Sequence, residues 1–119
     1  MNVPKMLQSF KYAFKGVKVL LQENNARFHL LATVAVVLSG ILLKLSFAEW
    51  SATIISIGLV WMAEAFNTAL EKLCDFVSEG YHPLIGKIKD LSAAAVLIIS
   101  VCAAIIGIII FLPKILANL

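Results

Sequence analysis

The sequence predicts an all-α membrane protein, with an N-terminal amphipathic surface helix followed by three transmembrane helices. Composition is the first reason: of 119 residues, 61% are hydrophobic and 14% are charged, the balance of a chain that lives in lipid. The second is the set of apolar runs Phe28–Leu43, Trp50–Ala63 and Leu91–Leu112, against a need for ~20 mostly apolar residues per crossing. The third is the placement of positive charge. Eight of the ten Lys/Arg residues lie before the first run or between the second and third, so the positive-inside rule puts the N-terminus and that connection in the cytoplasm.

Taken in order, residues 5–22 place Met6, Phe10, Ala13, Phe14, Val17 and Leu21 at helical spacing, with Lys11, Lys15 and Lys18 on another face. That is the pattern of a helix lying on the cytoplasmic leaflet, its lysines among anionic head groups. Lysines spread through this segment do not make the basic start and solid apolar block of a cleavable signal, so the mature chain is expected to begin near Met1. The spans are expected at about 27–45, 49–72 and 91–112, joined by a tight outer turn, "KLSFAEW", and a polar connection, "SEGYHPLIGKIKD". Neither a repeat nor a dividing linker is visible, and residues 1–119 read as a single domain. Cys74 and Cys102 have no CxxC spacing and read as small packing residues. With a net charge of +3 explained by membrane topology, no nucleic-acid partner is implied.

The second span carries an anomaly. Counted from Glu64 at about 100° per residue, Asn67, Thr68, Glu71, Asp75 and Ser78 fall within an arc of roughly 100°. If Trp50 marks the outer interface, a rise of about 1.5 Å per residue sets Glu64 ~21 Å and Asp75 ~37 Å inward, in a core ~30 Å thick. Asp75 has left the hydrocarbon, whereas Glu64 is still inside it. An ionisable group at that depth costs several kcal/mol unless it faces other helices or a polar cavity, and it marks a functional site.

Six of the seven acidic residues, Glu23, Glu64, Glu71, Asp75, Glu79 and Asp90, sit toward the cytoplasmic side, and Lys89 stands beside Asp90. Hard cations such as Mg²⁺ bind through one or two carboxylates plus phosphate oxygens. Carboxylates, a lysine and a divalent cation at a membrane surface are the parts of phosphoryl transfer, in which positioning and charge neutralisation provide most of the catalysis. Neither a Walker loop nor the protein-kinase motifs are present: "GYHPLIGKI" has five residues between its glycines, and Ile88 follows Lys87 where Ser or Thr is required.

The stretch "EAFNTALEKLCD", an E-x-x-N-[ST]-A-[LIV]-E-x-x-x-D pattern, is followed by Asp90 in "GKIKDLSAAAVL" and preceded by "ENNARFH". Together these closely resemble the small prokaryotic diacylglycerol kinase family, which includes the undecaprenol kinases, over nearly the whole chain. The resemblance implies a homotrimer in the bacterial inner (cytoplasmic) membrane, with active sites between subunits facing the cytoplasm. It implies Glu64 as the general base for the lipid hydroxyl, Asn67 as its polar neighbour, and Glu23 and Glu71 as ligands of the Mg²⁺ that accompanies ATP. Lys89 is then the phosphate-binding lysine, and Asp75, Gly80, Tyr81, His82 and Asp90 are nucleotide-contacting positions. His29 stands where the diacylglycerol kinase form has Glu, and in this is similar to the undecaprenol kinase branch.

The expected function is transfer of the γ-phosphoryl of MgATP to diacylglycerol, giving phosphatidic acid, with undecaprenol as the alternative acceptor. The competing reading from another class is a small oligomeric cation channel lined by the Glu64 stripe. A pore requires polar groups along a whole span, and residues 93–112 are almost wholly apolar.

Overall fold

The computed structural model describes all 119 residues and contains four helices: α1 (Val3–Leu21), α2 (Asn24–Leu42), α3 (Phe47–Val77) and α4 (Pro83–Ala117). Capping chemistry sets most of their starts. The Asn2 side chain accepts a hydrogen bond from the Lys5 N–H at 3.1 Å, and Pro4 occupies the first turn of α1, where a missing N–H costs nothing. α3 opens on a capping box, in which the Ser46 hydroxyl accepts from the Glu49 N–H at 3.2 Å and Glu49 accepts from the Ser46 N–H at 2.8 Å. His82 caps α4 by accepting the Leu84 N–H on Nδ1 at 3.1 Å, directly before Pro83.

α2 ends in a left-handed residue, Lys44, at φ 55°, and the Leu45 N–H turns back to the Gly40 carbonyl at 3.2 Å. The reversal lays Leu45 and Trp50 over Gly40. A Cβ built on Gly40 would sit 2.8 Å from the Trp50 ring and 3.0 Å from Leu45. Gly40→Ala is therefore expected to overpack this corner by about 1–3 kcal/mol, more than the ~1 kcal/mol gained in helix propensity. Thermal unfolding in detergent should show a lower midpoint.

α2, α3 and α4 are each long and apolar enough to cross a membrane. At about 1.5 Å per residue α3 and α4 run roughly 46 and 52 Å, well beyond a ~30 Å hydrocarbon core. Both helices exceed the expected spans. α4 begins at Pro83, not 91, and continues to Ala117 through Pro113, so the polar connection contracts to Ser78–His82. Leu84, Ile85, Ile88 and Leu91 already have helical spacing there, and the interleaved charges made a solvated helix end look like a loop.

α3 packs mainly on α4, antiparallel, and ion pairs tie both ends: Glu49 to Lys114 at 3.2 Å and Asp75 to Lys89. Polarity is inverted relative to a protein that folds in water. The buried residues include Thr53, Ser56, Glu64, Asn67, Thr68 and Ser92, while Ile54, Ile55, Leu59, Phe66, Ile98 and Ile105 are exposed. Two of the hydroxyls buried on α3 are satisfied within the helix, Thr53 donating to the Glu49 carbonyl and Ser56 to that of Ala52, each at 2.8 Å. The α1 residues Met6, Phe10, Phe14 and Val17 are also exposed, and Leu20 is the one buried residue of that helix. Both cysteines are free thiols.

Candidate active site

Helical period brings Glu64, Asn67 and Thr68 to one face of α3, and all three are buried, Glu64 to 2% exposure. It is the largest fully buried side chain in the molecule. Its Oε2 lies 3.4 Å from His29 Nε2 on α2 yet has no hydrogen-bond partner, and Asn67 Oδ1 one turn on has none either. Leaving such groups unpaired costs about 1–3 kcal/mol each, more for a charge, so two orphaned acceptors on adjacent turns mark a place prepared for something else.

His29 is held from two sides. The Thr33 hydroxyl donates to the His29 carbonyl at 2.7 Å and accepts from Trp61 Nε1 at 2.9 Å. The Trp61 ring meets the imidazole edge-on, with centroids 6.0 Å apart. Beside His29 opens a cavity of about 310 Å³ between α2, α3 and α4, walled by Phe28, Thr33, Ser56, Trp61, Ser100 and Phe111 among others.

Farther along α3, the remaining charges gather where α3 ends and α4 begins. Glu23, which precedes α2, is paired with Lys72 at 3.4 Å, and Glu71 is half-buried next to that lysine. Lys89 donates a hydrogen bond to Asp75; it lies before the apolar run 91–112, and this bond holds its ammonium above the ordinary lysine range. Gly80, Tyr81 and His82 are exposed on the Ser78–His82 connection, and Asp90 is exposed on the first turns of α4. The structure thus brings Glu64 and Asn67 together, and Asp75 with Lys89. Glu23 meets Lys72 directly, and no three acidic, His or Cys side chains converge as a preformed metal cage.

Sequence reasoning missed two partners, His29 for Glu64 and Lys72 for Glu23. A signal existed: Glu23–Lys72, His29–Glu64 and Thr33–Trp61 are each centred near residue 47, as the register of an antiparallel α2–α3 hairpin requires.

A multi-span helical protein with a buried carboxylate within one span, followed by a cluster of carboxylates and lysines, has the parts of a membrane-embedded phosphotransferase. A family profile described as prokaryotic diacylglycerol kinase matches residues 11–111. The chain is 38% identical over 111 residues to an undecaprenol kinase of Bacillus subtilis, covering 92% of this chain and 90% of that one. It is 36% identical over 116 residues to a diacylglycerol kinase of Synechocystis, covering 96% of this chain and 66% of that one. Against a diacylglycerol kinase of Escherichia coli it is 29% identical over 102 residues, 85% and 84% of the two chains. The chain belongs to the prokaryotic diacylglycerol kinase family and is a lipid kinase.

Proposed function

We propose that this kinase transfers the γ-phosphoryl of MgATP to the hydroxyl of diacylglycerol at the cytoplasmic face of the bacterial inner membrane, as a homotrimer with α1 resting on the leaflet. The observation that carries the reading is Glu64, buried inside a span with an oxygen that has no hydrogen-bond partner. A carboxylate in that position can accept the proton of an alcohol brought to the same depth by its own lipid tail. Asn67, buried one turn on, carries an amide whose N–H can donate to the oxygen of that hydroxyl. The apolar cavity beside His29 is compatible with the hydrocarbon of the acceptor.

Phosphate binding falls to Lys89, now held by Asp75, with Gly80, Tyr81, His82 and Asp90 along the nucleotide. Glu23 and Glu71 are hard oxygen donors of the kind Mg²⁺ takes alongside phosphate oxygens and water, and Glu23 is paired with Lys72, the residue after Glu71 on α3. A bound Mg²⁺ would neutralise charge on the transferring phosphoryl group. Glu71→Gln is expected to keep the fold and raise the Mg²⁺ concentration giving half-maximal rate. An unchanged Mg²⁺ dependence at unchanged rate removes Glu71 from the metal site.

Undecaprenol is the second reading, favoured by the undecaprenol kinase relative that is aligned over most of both chains. Radiolabelled ATP with each lipid in mixed micelles tests both. Label in phosphatidic acid supports the first acceptor, label in undecaprenyl phosphate the second, and label in neither overturns the proposal.

A further inference from the structure

We infer that His29 is a positioning residue that acts through Glu64: its Nε2, beside the Glu64 carboxyl, takes over the proton that Glu64 removes from the lipid alcohol. The inference rests on Glu64 as the base. Geometry carries it. His29 Nε2 is 3.4 Å from Glu64 Oε2, and no Lys or Arg comes within 4 Å of that carboxylate, since Glu23, Glu49 and Asp75 hold the lysines that pair. Both side chains are largely buried, 13% and 3% exposed, so within the chain His29 is the basic group that a proton on Glu64 can reach.

The imidazole is also built in. The Thr33 hydroxyl pins its backbone carbonyl, Trp61 in turn donates to that hydroxyl, and the Trp61 ring meets the imidazole edge-on. A base oriented by a third group is a recurring arrangement in enzymes that activate a hydroxyl.

The proton inventory closes. As the lipid oxygen forms its bond to the γ-phosphorus, the bond from that phosphorus to the bridging oxygen breaks and its electron pair leaves with ADP. The hydroxyl proton passes to Glu64. From Glu64 it passes to the His29 Nε2 lone pair, and the imidazolium then loses a proton to water. Glu64 is returned to its ionised form for the next acceptor without carrying a proton out of the span by itself.

The test compares wild type with His29→Phe, His29→Gln and His29→Ala in mixed micelles containing diacylglycerol or undecaprenol. Phe keeps the ring edge on Trp61 but has no nitrogen, and Gln keeps a polar amide that cannot carry a proton. Both are expected to lower kcat by at least about 10-fold with KM for MgATP and for lipid within about two-fold of wild type. Added imidazole should restore part of the rate to His29→Ala and none to His29→Phe. Two results overturn the assignment: a kcat within about three-fold of wild type in both Phe and Gln, or a loss confined to KM. Wild type inactive on both lipids would instead overturn the kinase reading beneath it, and that result is seen before any variant is compared.

Discussion

Replacement of Glu64 by Gln is expected to reduce lipid phosphorylation by about 10²-fold or more, while ATP binding persists. Gln has the size and hydrogen-bonding reach of Glu, so the buried pocket on α3 should not collapse. What it lacks is an oxygen that can take up a proton. In the structure that oxygen is buried, lacks a hydrogen-bond partner and lies 3.4 Å from His29 Nε2. Nucleotide binding in the Gln variant is measured separately, by a fluorescent ATP analogue. A variant that turns over lipid within a few-fold of wild type removes Glu64 as the base; loss of ATP binding together with activity moves it to the nucleotide or metal site.

Lys89→Ala should be comparably severe, a fall on the order of 10²-fold, because one preorganised charged donor to a transferring phosphoryl group carries a large share of its stabilisation. Lys89 already forms a hydrogen bond to Asp75, so the truncation also leaves that carboxylate without its cation at the mouth of the site. Arg in its place restores charge but not the compact point donor, and partial recovery is expected. The same variant tests the assembly. If one site draws residues from two chains, oligomers mixed from Lys89→Ala and Glu23→Gln subunits recover activity that neither variant has alone. Activity no greater than the sum of the two parents would confine each site to one subunit.

Burial of Glu64, Asn67 and Thr68 on one face was legible in the sequence because a helix has a fixed period and an ionisable group in hydrocarbon has a large cost; neither argument needs a neighbour. The partners were not legible by the same means. A single helical wheel says which way Glu64 points, but the residue it meets depends on how α2 slides against α3. That register is set at the Leu43–Ser46 reversal, where Lys44 adopts a left-handed conformation and Leu45 closes onto Gly40. His29, judged alone, looks like an interfacial side chain. Likewise "GKIKD" reads as a connection because its charges outweigh its apolar spacing, although those charges sit on the first turns of α4, ahead of the apolar run.

The overhang of α3 and α4 has a mechanical consequence. Glu64 and Glu71 are on one unbroken helix, about 10 Å apart along its axis, and α4 packs along the same rod, joined to it near this end by the Asp75–Lys89 pair. On the roles proposed for these residues, the acceptor end and the nucleotide end of α3 therefore keep a fixed separation, and the molecule acts as a ruler stood in the bilayer. Acyl-chain length in the surrounding lipid decides at what height a membrane alcohol presents its hydroxyl, and a mismatch of a few Å is met by tilting the rod or straining the lipid, each at modest cost. Turnover in bilayers of graded thickness would then pass through a maximum where headgroup level and Glu64 coincide, making membrane thickness itself a variable the enzyme reads.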